Sequence, residues 1–402
     1  MALTRRLEGA AIDHLFVIDL DGELAVVAPD DHGIDAHITW IGRPASAIPR
    51  SVAVPRARLA TTSGSPHLGP SSSRLFLPIP RHRVPVIAVD LGGTKVAAAL
   101  VTESGEIVAR EHAAVGGRGG HDVASLIAQQ CDALAAEARA RDVGPPTAVG
   151  VAVPGIYRAA RGTVWAPNIH GWDDYPLRDD LQHALGAMRV VVDSDRAAYI
   201  LGETWRGAAV GARDAIFLAV GTGIGAGILA DGRIVRGHAD VAGAIGWLAL
   251  DRPYLERWTR CGCFEYHASG PGLVNVARDL LERTPDYRGE LRGLDADDLS
   301  TARLFEAYDR GDEIAGRVFD EATEFWGMAT ANLVSLFNPE TIVFGGGVFG
   351  PAVRFLEGIR AEARRWAQPI SMQQVSLVAS TLGGDAGLYG AARLAMSAAV
   401  PP

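Results

Sequence analysis

From Val84 onward, short runs of consecutive apolar residues alternate with stretches of helical period. "VPVIAVDLGGTKVAAALVTESGEIVAR" (Val84 to Arg110) reads as a strand, a Gly-Gly turn, a second strand, a Ser-Gly turn and a third strand. "DVASLIAQQCDALAAEARARD" (Asp122 to Asp142) carries its apolar residues at helical spacing. "AVGVAVPG" is a buried strand closed by Pro154 and Gly155. Later, "VVVDSD" ends at Asp195, and "AIFLAVGTGIGAGILADGRIV" and "TIVFGGGVFG" again run an apolar strand into glycines. This alternation predicts an α/β chain with a parallel or mixed sheet covered by helices. The first 80 residues differ. "HLFVIDLDGELAVVAPDD" reads as two strands around an Asp-Gly turn, a small hairpin, and "TTSGSPHLGPSSS" (Thr61 to Ser73) as a flexible Ser/Gly/Pro linker.

Composition narrows the class. With 402 residues and 48% hydrophobic content, the chain can bury two or three domains' worth of core. A net charge of -9 without a basic block argues against nucleic acid as a partner. No apolar run reaches the ~18 residues that cross a bilayer, and acids interrupt the N-terminal stretch before a signal-peptide core forms, so the expected location is cytoplasmic, away from membranes. Cys131, Cys261 and Cys263 are the only cysteines, an odd number that gives no disulfide framework and suits a reducing compartment.

A strand that ends in a Gly-rich turn exposes backbone N–H groups, and without Cβ atoms in the way these can approach phosphate oxygens. At "DLGGTK", Thr94 adds a hydroxyl and Lys95 a charge. Asp90 would repel bare phosphate, so an acid at this place implies a magnesium ion, or its waters, between the two. Any one of these loops could be a plain tight turn, but three of them, one with Asp and Thr, point to phosphate.

"DLGGTK", "GTGIGAGILADGRIVRG" and "NPETIVFGGGVFG", with "APNIHGW", "DSDRAAYILGE" and "GDAGLYGAARLA", resemble the phosphate and adenosine motifs of the ROK family of sugar kinases and related repressors. The resemblance implies an actin-like ATPase (ribonuclease H-like) fold with two α/β lobes around a central cleft. It divides the chain into an N-terminal extension (1–80), a first lobe (84–194) completed by the C-terminal helix 385–400, and a second lobe (195–384). It also implies ATP and Mg2+ as cofactors and a homodimer. Gly92, Gly93, Thr94, Lys95, Gly221, Thr222 and Gly223 would hold the phosphates. Gly345, Gly346 and Gly347 would let adenosine lie close to backbone, and Asp90 would organise magnesium through water. Aligned through "LGE", Asp195 falls on the catalytic base and Ser194 on a substrate-binding asparagine. Read without the resemblance, Asp193, Ser194 or Asp195 would serve equally well as a helix cap.

Asn168 and Glu265 stand where the family binds sugar. The family's "GEIGH" is "GAIGW" here, with Ala244 and Trp247 in place of the sugar-binding Glu and His. Each missing partner would cost a glucose hydroxyl roughly 1–3 kcal/mol. The same His and three cysteines hold a structural zinc in many members. Here only Cys263 clearly fits, and Cys261 and His267 do not complete four ligands, so no structural zinc is expected. The indole at Trp247 suits an acceptor with fewer hydroxyls or a ring carbon replacing the ring oxygen. The expected reaction is therefore phosphorylation of the primary hydroxyl of a seven-carbon cyclitol of valiolone type. Alternatives are a hexose or amino-sugar kinase of glucokinase, kanosamine or N-acetylmannosamine type, and a non-catalytic ROK sensor or regulator. Residues 1–80 show no helix-turn-helix pattern for the last of these.

Overall fold

A computed structural model describes residues 16–20, 23–29, 36–40, 84–295 and 298–399. The linker read at Thr61 to Ser73 lies outside them. Ahead of the main body, β1 (Phe16–Leu20), β2 (Glu23–Pro29) and β3 (Ala36–Trp40) form an antiparallel sheet, with Phe16 opposite Val27 and Val26 opposite Thr39. This sheet belongs to a separate unit from the chain beyond Leu77.

The main body holds two sheets. In the first, β4 (Val86–Leu91), β5 (Lys95–Val101) and β6 (Ile107–Ala114) form an antiparallel meander. Next come α1 (Gly120–Ala140) and β7 (Ala148–Val153). A two-stranded hairpin, β8 (Ile156–Arg158) and β9 (Thr163–Trp165), then leads to α2 (Leu177–Leu185) and β10 (Arg189–Ser194). β7 is parallel to β4 and β10 to β7, which gives the order β10-β7-β4-β5-β6.

After α3 (Asp195–Arg206), the pattern recurs. β11 (Ala215–Val220), β12 (Ile224–Ala230) and β13 (Arg233–Ile234) are antiparallel, β14 (Thr341–Gly345) and β15 (Ser376–Ala379) are parallel to β11, and the order is β13-β12-β11-β14-β15. Both sheets therefore share one strand order, and the actin-like, two-lobed α/β architecture expected from the sequence is the one found. The helices α4 (Cys263–Ala268), α5 (Gly270–Arg283), α6 (Thr301–Asp309) and α7 (Glu313–Phe337) precede β14, and α8 (Leu356–Trp366) and α9 (Pro369–Gln374) precede β15. Finally α10 (Ala386–Ala399) returns to the first sheet.

Periodicity explains the packing. The helix α1 buries Val123, Ile127, Cys131, Leu134 and Ala138 in one stripe against the first sheet. On the opposite face, α10 lays Leu388, Ala391, Ala392 and Ala395 on Val86, Ala88, Ala99, Val101, Ala148 and Ala152. These small side chains allow backbone-to-backbone approach. A Cβ at Gly390 would stand 1.8 Å from the Ala198 carbonyl oxygen, and one at Gly150 would stand 1.9 Å from that of Ala391. The other flank of α3 meets the second sheet just as closely, with the Gly227 Cβ position 1.9 Å from the Arg196 carbonyl oxygen. Thus α3 is wedged between the lobes, and its first residue is Asp195. No helix among the described residues is long and apolar enough to cross a membrane.

Candidate active site

In open α/β sheets, ligands collect at the carboxyl ends of parallel strands. Here β4 ends at Asp90 and Leu91, β7 at Val153 ahead of Gly155, and β10 at Ser194 ahead of Asp195. The turn after β4 is tight, with the Gly92 N–H donating to the Lys95 carbonyl at 2.9 Å. Gly93 faces Asn168, whose Nδ2 lies 2.6 Å from where a Cβ would stand, so any larger residue would displace that side chain. Thr94 and Lys95 are exposed. The carboxylate of Asp90 is packed against Gly387 of α10. Burial, and then the charge of Asp195, push the Asp90 carboxyl up to about 7, with Lys95 pulling the other way.

The choice between cap and base at the start of α3 is divided among residues. Ser194 is the cap, its Oγ accepting the Ala197 N–H at 3.3 Å. Asp195 Oδ1 accepts the neighbouring Arg196 N–H, at 2.7 Å. Burial lifts the Asp195 carboxyl to about 6, opposed by the charge and N–H of Arg196. One turn on, burial and the charges of Asp195 and Asp90 raise the Tyr199 phenol.

Asp193, 2% exposed, is paired with Arg236 of the second lobe through contacts of 2.6 and 2.5 Å, and its Oδ1 accepts the Ser194 N–H at 2.8 Å. The pairing holds the Arg236 guanidinium above its usual range. From the same segment, Asp240 Oδ2 accepts the N–H of Ala159 at the tip of the β8–β9 hairpin, at 3.1 Å. The Arg196 guanidinium crosses the notch left by Gly225 and donates to the Gly155 carbonyl at 3.2 Å. Tyr157, Asp193, Ser194, Arg196, Arg236 and Asp240 line a small cavity here.

In the second lobe, the glycines divide their work. Gly345 lies under the Phe217 ring, 2.3 Å from its Cζ at the Cβ position. Gly346 has φ +91° and abuts the Val220 carbonyl, a conformation and a fit that only glycine meets. Gly347 has nothing within 4 Å of its Cβ position and opens onto a cavity of about 380 Å³ shared with Gly221 and Thr222. The walls opposite are Gly270, Pro271, Thr301, Ala302 and Phe305, which the sequence reading did not select. They are tied to the glycine turn: Gly270 N–H donates to Gly221 O at 2.8 Å, and Thr301 Oγ1 to Gly270 O at 2.8 Å. The available signal was "SGPG", a capping serine and proline at the start of α5 directly after a glutamate-bearing helix.

Glu265 does not lie free in the cleft. Its Oε2 accepts the Ile224 N–H at 2.6 Å, and it fills the space beside Gly223 and Gly246, joining the glycine turn to the "GAIGW" segment. Burial raises its carboxyl and that N–H lowers it. Trp247, on a single 3₁₀ turn, is 58% exposed. Cys263 is buried, Cys261 half-buried, and His267 is stacked on Phe325 with its Nδ1 2.7 Å from Glu321 Oε1. Among the described residues, no group of three or more His, Cys, Asp or Glu side chains could hold a metal ion.

The model of the ROK family matches residues 86–398. A glucokinase of Streptomyces coelicolor is 33% identical over 320 residues, covering 77% of this chain and 96% of the relative. A glucokinase of Halalkalibacterium halodurans is 32% identical over 314 residues, covering 76% and 92%. Among solved structures, the ROK family glucokinase of Streptomyces griseus in complex with glucose and AMPPNP superposes with a TM-score of 0.63 at 34% identity, covering 78% of this chain and 99% of that one.

Proposed function

The chain belongs to the ROK family and is an ATP-dependent sugar kinase, and we propose that Asp195 is its general base, acting on the primary hydroxyl of a sugar-like polyol. The observation that carries this reading is the pair of half-buried carboxylates, Asp90 and Asp195, at the carboxyl ends of two strands of one sheet, both raised above the usual carboxylate range. Phosphoryl transfer is mostly positioning and charge stabilisation, with one proton to remove as the new bond forms. A carboxyl poised near 6 is ionised at neutral pH yet basic enough to accept that proton. The helix cap is supplied by Ser194, which leaves Asp195 available for the work.

For the nucleotide, the glycine-lined cavity beside Gly221, Thr222 and Gly347 suits a flat purine against backbone and the Phe305 side chain. The turns at Gly92 to Thr94 and Gly221 to Gly223 would present N–H and hydroxyl donors to the phosphates. Two acidic side chains facing a phosphate site call for a divalent cation, and the raised Asp90 carboxyl fits that demand. Magnesium bound with ATP neutralises phosphate charge. Asp90 would hold it through water, while Lys95, exposed at the rim, would add positive charge nearby.

On the acceptor side, Asn168 behind Gly93 and Glu265 behind Gly223 would border the sugar. Ala244 and Trp247 take away a charged acceptor and an imidazole and add an exposed indole face. This favours a seven-carbon cyclitol of valiolone type over glucose. A hexose or amino-sugar acceptor is the second reading, favoured by the identity with glucokinases over most of the chain. The working form we propose is a cytoplasmic homodimer, which light scattering of the purified protein would test. The deciding experiment is ADP release with ATP and magnesium against glucose, mannose, N-acetylmannosamine, kanosamine and valiolone. Preference for the cyclitol supports the first reading and efficient glucose turnover the second. Binding of sugar without any turnover would overturn the kinase reading in favour of a sensor.

A further inference from the structure

We propose that Asp193 and Arg236 are positioning residues that make the placement of Asp195 depend on contact between the two lobes. The inference rests on the reading of Asp195 as the base, and it follows from a chain of bonds. Arg236, just beyond β13 in the second lobe, grips the Asp193 carboxylate of the first through both its terminal nitrogens. Asp193 Oδ1 fixes the Ser194 N–H, Ser194 Oγ fixes the first turn of α3, and Asp195 is the first residue of that turn. The strand-to-helix junction that carries the base is thus held by a cation from across the cleft.

A second contact bridges the lobes at the same place. Asp240, four residues after Arg236 in the second lobe, accepts from Ala159 of the first. Segment 235–242 therefore joins the two lobes at two points beside the start of α3.

Stability alone is a poor account of this pair. Asp193 is almost wholly buried, and a buried ion pair seldom stabilises a fold better than well-packed apolar residues would. What the pair supplies is conditional geometry. If the lobes part, Arg236 leaves with its lobe, Asp193 loses that cation, and the junction loses the group that orients it. With the lobes together, the base is set. Such an arrangement places the base when the acceptor is enclosed and withholds it when only water faces the γ-phosphate.

Arg236→Gln alone would strand a buried charge and could unfold the protein. The test therefore uses two further variants of the full chain: the neutral pair Asp193→Asn with Arg236→Gln, and Arg236→Lys. Each is measured for thermal melting, AMPPNP affinity, and kcat and KM with the best acceptor of the panel. If the pair positions the base, the neutral pair folds and binds AMPPNP as the parent does. Its kcat drops at least about tenfold with KM for ATP within about twofold, and Arg236→Lys recovers part of that loss. A neutral pair that folds and keeps kcat within about twofold overturns the proposal, as does a parallel fall in stability, AMPPNP affinity and kcat. Asp195→Asn, run alongside, separates the two claims. If it retains full turnover, the base assignment itself is wrong and the proposal goes with it. If it is inactive while the neutral pair is not, only the proposal fails.

Discussion

The charge of Asp195 reaches Asp90 across the carboxyl edge of the first sheet and adds to burial in holding the Asp90 carboxyl near 7. In the unfolded chain that carboxyl titrates near 3.8. Between those values the folded chain binds more protons than the unfolded one, so this group's contribution to stability falls as pH rises through the window. Asp90→Asn should remove that slope. In thermal melts of ligand-free protein at pH 8, the variant should be more stable than the parent by about 1–3 kcal/mol, with the advantage shrinking toward pH 5. Its kinase turnover should be lost. Equal stability of the two proteins at pH 8 would show that Asp90 carries no such cost.

The pH dependence of catalysis follows from the neighbouring group. Asp195 must be ionised to accept a proton, and its carboxyl lies at about 6. With Asp90 at about 7 also required as a carboxylate, the acid limb of kcat/KM, which reports the free enzyme, should rise with pH through both carboxyls and level off above about 7. A profile flat down to pH 4.5 would mean that no raised carboxyl limits the reaction.

Replacing the base is the direct check. Asp195→Asn is nearly isosteric, and Ser194 continues to cap α3. It should leave melting and AMPPNP affinity close to those of the parent while lowering kcat by about 10²-fold or more. Turnover within about threefold of the parent would remove Asp195 from the role.

Acceptor preference can be tested by reversing the two departures. Ala244→Glu with Trp247→His should raise kcat/KM for glucose at least about tenfold, on the scale of one or two recovered hydrogen bonds. Unchanged glucose kinetics would place specificity elsewhere, in the arginine-lined cavity at Arg196 and Arg236, for example.

The close seam around α3 predicts a contrast between glycines. Gly390→Ala would drive a methyl to 1.8 Å from the Ala198 carbonyl oxygen and should destabilise the fold by about 1–3 kcal/mol or more. Gly316→Ala, in α7 with nothing within 4 Å, should stabilise it by about 0.5–1 kcal/mol. Differential scanning calorimetry of both variants decides this, and equal melting points would contradict the packing.

Much of this fold is legible because it is local. The apolar runs at Val86–Leu91, Ala148–Val153 and Ala215–Val220 are strands for the reason the pattern gives, burial on both faces, and the stripe of α1 follows its period within two residues at each end. Asp90 and Asp195 are legible as strand-end acids. The partnership of Asp193 with Arg236 across the lobes, or of Glu265 with the Ile224 N–H within the second lobe, is not, since each joins residues some forty apart whose approach only the folded chain defines. Nor could the pattern tell that Gly345 serves Phe217 while Gly347 faces open space, because a glycine run has no side chain to signal direction.

The position of α10 has a consequence for synthesis. The strands β4 to β7 are made long before the helix that roofs their second face and buries Val86, Ala88 and Ala148. The nascent first lobe therefore carries an open apolar face while some two hundred residues of the second lobe are still being translated, and in that state Asp90 lacks its Gly387 wall. The Asp90 end of the site is therefore complete only once α10 has docked on the first sheet.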